Sequence, residues 1–249
     1  MYHSYLINES SDVTLEYKNP LREESHPGLA SDFPYKCITR IYDKTETGAP
    51  WHWHSELEIF YIEKGVLEYR TPDKVFQFSE GCGGLINSNI LHRTKRCDGP
   101  SPVMQKIHIF SPVFIAAKET LIYKKYLSPL IHSKKAVFSF DATQNAAALQ
   151  SFQLANNKTG YEIKLQSLLS EILLGCYETL PADMPSKAIS TTDEKLLGMV
   201  AFIEEHLNEK ISVREIAASV YISERDCYRK FQKELGKTPL QFIQNIRLE

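Results

Sequence analysis

Ser212 to Arg247 constrains this chain more than any other stretch, because each of its short helices announces its own start. Ser212-Val-Arg-Glu215, Ser223-Glu-Arg-Asp226 and Thr238-Pro-Leu-Gln241 place a hydroxyl three residues ahead of a carboxylate or amide. That is the capping-box spacing, or a near variant at Asp226, and it satisfies orphan amides at a helix start. Pro239 suits the first helical position, where its missing N–H costs nothing. Val213, Ile216, Ala217 and Val220 share one face of the first helix, and only Tyr221 and Ile222 separate it from the next cap. The second helix presents Cys227, Phe231 and Leu235 four apart and stops at Gly236, which suits a left-handed end. Helices joined this tightly cross steeply, as in a helix-turn-helix. The stripe leaves Arg225, Tyr228, Arg229, Gln232 and Lys233 facing solvent, residue types that meet phosphates and base edges. On spacing alone, an ordinary three-helix packing unit with a solvated polar face fits equally well.

A second stretch carries dense chemistry: Trp51-His52-Trp53-His54-Ser55-Glu56-Leu57-Glu58. In an extended strand His52 and His54 share a face. His92 follows the Gly81/Gly83/Gly84 cluster and can return alongside them. His52, His54, Glu58 and His92 then supply three imidazoles and a carboxylate, a set able to hold zinc, iron, manganese or nickel. The same residues with Trp53 could instead line a pocket for a small organic effector, stacking on it and accepting its hydroxyl hydrogen bonds. Trp53 is as well suited to a core position as to a pocket.

The rest of the chain supports a modular reading. With 249 residues, 43% hydrophobic and 24% charged, it has the composition of an ordinary soluble protein of one or two domains. No apolar run reaches the roughly 18 residues of a membrane span, and Met1-Tyr-His-Ser-Tyr does not open a secretory signal. Five cysteines without a CxxC pair fit a reducing cytoplasm. The net charge of −2 does not mark a nucleic-acid binder. Yet Ser223 to Arg247 holds six basic residues (225, 229, 230, 233, 237, 247) against three acidic ones (224, 226, 234), a local +3.

Residues 1–35 read as a polar, proline-punctuated arm. Short strands are expected at 35–42, 57–62, 66–70, 75–78, 84–86 and 104–109, as in a sandwich or small barrel. Helices are expected at 114–126, 146–154 and 161–180, the last with an apolar stripe that packs on the core or on a twin subunit. Pro181 to Ser190 reads as a linker. Thr191-Thr-Asp-Glu194 then caps a scaffold helix carrying Leu196, Val200, Ile203 and Leu207 on one face.

Two resemblances sharpen this. Ile216 to Ser223, Cys227, Arg229-Lys230-Phe231, Leu235 to Pro239 and Ile246 to Glu249 resemble the DNA-binding domain of AraC/XylS-type transcriptional regulators, with Cys227 in place of the usual Leu. His52, His54, Glu58, Gly65, Gly81 and His92 resemble the two motifs of the cupin barrel, a fold that such regulators share. Gly48 stands closer to His52 than in the enzyme form, and Leu85-Ile86-Asn87-Ser88 replaces the usual Pro-x-Gly.

The resemblance implies an α+β chain. Residues 1–135 would form a cupin-like ligand-sensing barrel with its arm, and 136–180 a helical dimerisation segment. A linker would span 181–192, and 193–249 would be an all-α helix-turn-helix domain, truncated within the helix that leads to a second unit. Such a half-domain is expected to bind DNA weakly alone. Ser223 would cap the reading helix, with Arg225, Tyr228 and Arg229 at base edges and Gln232, Lys233 and Lys237 at phosphates. The function implied is a cytoplasmic, dimeric regulator of promoters that senses a small metabolite such as a sugar. It requires no cofactor, although the histidine set permits a divalent metal. A metal-dependent cupin enzyme, with His52, His54, Glu58 and His92 as ligands, is the alternative.

Overall fold

The computed structural model describes residues 9–10, 23–24, 26, 29, 31–43, 47–97, 99, 102–154, 156, 158–181 and 194–247. The expected linker after Pro181, the cap at 191–193 and most of the arm lie outside them.

Strands β1 (Glu9–Ser10), β2 (Tyr35–Tyr42), β3 (Leu57–Lys64), β4 (Val66–Arg70), β5 (Val75–Ser79), β6 (Gly83–Ile86), β7 (Arg93–Arg96), β8 (Val103–Phe110) and β9 (Val137–Ser139) make two sheets. Six run in the order β1-β2-β8-β3-β6-β9, and three in the order β5-β4-β7. The order reflects the sequence of β3, Leu-Glu-Ile-Phe-Tyr-Ile. Both of its faces are apolar, so it must be covered on both sides and takes a central place. Leu57, Ile59 and Tyr61 face the helices, in a cluster with Leu165, Leu169 and Ile172. Phe60 and Ile62 face the barrel interior with Tyr69, Phe78 and Ile107. Glu58 shares the interior parity and is buried there. At Gly48, with φ 156°, a Cβ would overlap the Thr94 carbonyl, so the segment leading into the histidine stretch can lie this close to Thr94 only on glycine.

Three strands escaped the sequence reading, the first being β1, within the stretch read as an arm, which pairs with β2. Arg93-Thr-Lys-Arg96 has no apolar alternation, yet it pairs with β4. Val137-Phe-Ser139 pairs with β6, so the sheet continues past residue 135, where the sequence reading placed the end of the barrel.

The helix expected at 114–126 is a correction. The chain instead makes a 3-10 turn at Pro112–Phe114, then a π-helical turn at Tyr123–Leu127 that leads into α1 (Ser128–Ile131). Pro129 lacks the N–H that would bond back one α-turn, and its ring crowds that carbonyl, which widens the preceding turn. Helix α2 (Ala142–Phe152) begins in a reciprocal box between Asp141 and Gln144, and α3 (Tyr161–Glu178) follows.

His108 pins these helices to the sheet. Its ring stacks on Phe152 at 3.7 Å, with Tyr35 Oη 2.7 Å from Nδ1 and Ser151 Oγ 2.8 Å from Nε2. Ser151 donates to Ala148 O, so its oxygen accepts from His108 Nε2–H, and Nδ1 accepts from Tyr35. Burial pushes this imidazole down to about 3. A group depressed in this way stabilises the fold above its unfolded value near 6.5 and loses that contribution as pH falls toward 3. Melting between pH 7 and pH 4 should therefore fall less steeply in His108→Gln than in wild type. Equal slopes would remove His108 as the acid-sensitive joint.

The C-terminal helices are α4 (Glu194–Glu205), α5 (Val213–Ser219), α6 (Glu224–Leu235) and α7 (Pro239–Arg247). The expected caps form. Ser212 and Glu215 bond reciprocally, as do Thr238 and Gln241, whereas Ser223 accepts from Asp226 N and donates to Asp226 Oδ2. Gly236 ends α6 at φ 63°.

Candidate functional site

The interior site is built where the chain from Ala49 to His54 runs beside Ile90 to Thr94. His52 and His92 exchange both backbone hydrogen bonds at 2.9 Å. Asn89 N and Thr94 N close the ladder on His54 O at 2.8 Å and Ala49 O at 3.0 Å. Successive side chains on such a ladder take opposite faces. His52, His54 and His92 point inward and are almost fully buried. Trp51, Trp53 and Leu91 point outward.

Each inward ring is held at Nδ1 by a backbone carbonyl: His52 by Pro50 O (2.7 Å), His54 by Glu56 O (3.2 Å) and His92 by Ile90 O (2.8 Å). A carbonyl only accepts, so Nδ1 carries the proton and Nε2 turns a lone pair to the centre. Glu58 Oε2 joins them, 3.3 Å from His54 Nε2 and 3.6 Å from His92 Nε2. Tyr69 Oη donates to Glu58 Oε1 at 2.6 Å and in turn accepts from Gln105 Nε2. The ligand atoms of His52, His54, Glu58 and His92 all lie within 4.8 Å of one another. His92 Nε2 is buried without a hydrogen-bond partner.

Four Lewis-basic atoms thus converge with too few protons among them. Burial alone would push Glu58 up, but the neighbouring His54 and His92 rings hold it well below the usual carboxylate range. Burial would likewise push His54 down, yet the Glu58 carboxylate raises it. For His52 burial first, then the neighbouring His92, outweigh the opposing pull of Pro50 O and Glu58 and push it well below its ordinary value.

The sequence reading missed a second tier. Glu24, from the arm, donates its N–H to Trp53 O at 2.8 Å. It places Oε2 3.5 Å from His52 Nε2 and Oε1 3.2 Å from the Arg40 guanidinium. Burial raises its carboxyl despite Arg40. His26 Nε2 lies 3.6 Å from Glu24 Oε2. Arg40, Tyr69 and Gln105 were legible only as interior-facing polar residues on strands. Glu24 and His26 had no periodicity to mark them. The space left among these groups is about 10 Å3, room for a water or an ion.

Trp53 corrects the expectation of a pocket residue. It does not line this space, and it packs with Trp51 and Leu91 against the C-terminal core of Leu196, Val200 and Phe231.

The second expected surface, on α6, is open. Arg225, Gln232 and Lys233 are exposed, as is the cap Ser223, and Tyr228 is 39% exposed. Arg229 lies 2.8 Å from Asp226 on the same helix face, and Lys233 Nζ 2.6 Å from Glu234. Lys237, expected at phosphates, here donates its Nζ to Pro72 O at 3.0 Å.

A ligand-binding barrel joined to a helix-turn-helix defines a transcriptional regulator rather than an enzyme. Residues 37–173 match the AraC-like ligand binding domain, and 203–244 match the bacterial regulatory helix-turn-helix proteins of the AraC family. The chain belongs to the AraC family. It is similar to the HTH-type transcriptional regulator YdeC of Bacillus subtilis, 26% identical over 88% of this chain and 77% of that protein. It is also similar to the probable transcriptional regulator LumQ of Photobacterium leiognathi, 25% identical over 83% and 75%. Among solved structures, ToxT of Vibrio cholerae aligns at 12% identity with a TM-score of 0.45, covering 86% of this chain and 80% of that one. Among the described residues, no helix is long and apolar enough to cross a membrane.

Proposed function

We propose that the barrel of this DNA-binding regulator holds a divalent metal ion on His52, His54, Glu58 and His92, and that this ion, alone or with a small ligand on it, is what the protein senses. The observation that carries the reading is the donor set. Three imidazoles are fixed with Nε2 inward, around a carboxylate that is kept ionised. Imidazole and carboxylate donors suit zinc, nickel, manganese or iron, and the ion would supply the positive charge that these lone pairs lack. A free sugar, the effector suggested by family resemblance, has less support, since the space suits an ion and Trp53 offers it no stacking face. Metal analysis of purified protein and calorimetry with Zn2+, Ni2+ and Mn2+ test this. Stoichiometric binding supports it, and no binding by any of them rejects it.

The DNA-facing assignment rests on the open polar face of α6. Arg229→Ala should weaken promoter binding by roughly 10- to 100-fold, the scale of a lost base contact, and leave ion binding unchanged. Wild-type operator affinity in a gel shift would remove Arg229 from the reading face.

We also infer a dimer through α3. Ile163 is 75% exposed and Leu174 44%, on a helix whose other side is fully buried, and Leu121 nearby in sequence to the π-helical turn is 75% exposed. Light scattering should show a dimer that Ile163→Asp converts to a monomer. A wild-type monomer at micromolar concentration would reject it.

A further inference from the structure

We propose that filling the histidine site and seating the helix-turn-helix unit on the barrel are coupled through the His52–His92 bridge, so that each strengthens the other. This rests on the metal reading above and adds a regulatory role to the same residues.

The ladder that carries this bridge is shared by both events. Its inward side chains, His52, His54 and His92, are the candidate ligands. Its outward ones, Trp51, Trp53 and Leu91, belong to the apolar cluster of the C-terminal helices, with Leu196, Met199, Val200 and Ile203 of α4 and Phe242 of α7. The Trp51 and Phe242 rings lie 6.3 Å apart, and Phe242 in turn packs on Phe231 of α6 at 5.6 Å. Arg93, the next outward residue, sits over the Trp51 ring at 5.6 Å. No flexible spacer intervenes, because each ligand and each anchor are adjacent residues on one hydrogen-bonded bridge. A shift of that bridge moves both.

The sign follows from the geometry. In this docked arrangement the four ligand atoms have already converged. Docking therefore prepays part of the ordering that an ion requires, and loosening the dock should weaken the ion. Coupling is reciprocal, so a substitution in the DNA-binding unit must appear in ion affinity. Docking leaves Arg225, Arg229 and Gln232 exposed, so the ion orients the reading helix without covering it.

Phe242 lies far from the ligands in sequence and packs on Trp51 and Phe231, which makes it the decisive position. Zn2+ titration of the full chain should show the dissociation constant rising about 5-fold or more in Phe242→Ala, with stoichiometry unchanged. Phe242→Leu, which keeps the cluster apolar, guards against simple unfolding, and far-UV circular dichroism confirms that the helices persist. In a Trp53→Phe background Trp51 is the sole tryptophan, and Zn2+ should shift its emission, a response that Phe242→Leu diminishes. Ion affinity within twofold of wild type in both Phe242 variants would overturn the coupling and leave the metal site standing. Absence of Zn2+ binding in wild type, with Ni2+ and Mn2+ also failing, would overturn the site reading and the coupling with it.

Discussion

Glu58→Ala should cost the barrel its ion, with affinity falling about 100-fold or more, beyond the 10- to 100-fold that loss of a mere supporting group brings. The reason lies in what the carboxylate does for its neighbours. It is the β3 carboxylate beside both His54 and His92, and it accepts the Tyr69 hydroxyl at 2.6 Å. Without it the three imidazoles lose the carboxylate that completes the donor set, and a buried hydroxyl donor loses its acceptor, at a cost of about 1–3 kcal/mol. The loss of affinity should therefore come with a modest fall in barrel stability, whereas Glu58→Gln should keep more of the stability and still lose the ion. Calorimetry with Zn2+ decides: a variant that retains stoichiometric, tight binding would show that Glu58 is only a structural acceptor. Measured without the ion, DNA affinity should match that of ion-free wild type, since Glu58 is buried inside the barrel and not on the open face of α6.

Phe231→Ala is expected to unfold the C-terminal unit. Phe231 is fully buried in α6, edge-on to Phe242, and joins α4, α5 and α7 in one cluster. Such truncations cost about 3–5 kcal/mol, comparable to the whole stability of a small helical unit. Calorimetry should show the C-terminal transition lost or shifted below ambient temperature while the barrel transition persists. A variant melting within a few degrees of wild type would mean that this cluster is less cooperative than its burial suggests.

These outcomes depend on features of unequal legibility in the sequence. Ser212, Ser223 and Thr238 announced their helices because capping chemistry is local: hydroxyl, spacing and partner lie within one turn. Leu57 to Ile62 was legible as a strand because apolar residues on both faces leave it few places but the centre of a sheet. Arg93 to Arg96 was not, since its strand character comes from pairing with β4 and not from its own side chains. Glu24 reaches His52 by a single backbone bond to Trp53, a long-range contact that no periodicity encodes. Trp53 is the instructive case. Alternation along Trp51-His52-Trp53-His54 already set the tryptophans opposite the histidines, but only a neighbour on the far side, the C-terminal cluster, gave that outer face a purpose.

The Lys237–Pro72 contact has a consequence for how such an anchor survives sequence drift. The barrel presents a main-chain oxygen, which every amino acid possesses, so the turn can exchange its side chain at position 72 and still receive the ammonium. Only the donor depends on its side chain, since position 237 must keep a group that can donate. A substitution survey would find tolerance on one partner and intolerance on the other, and a search for paired changes between the two positions would come back empty although they touch.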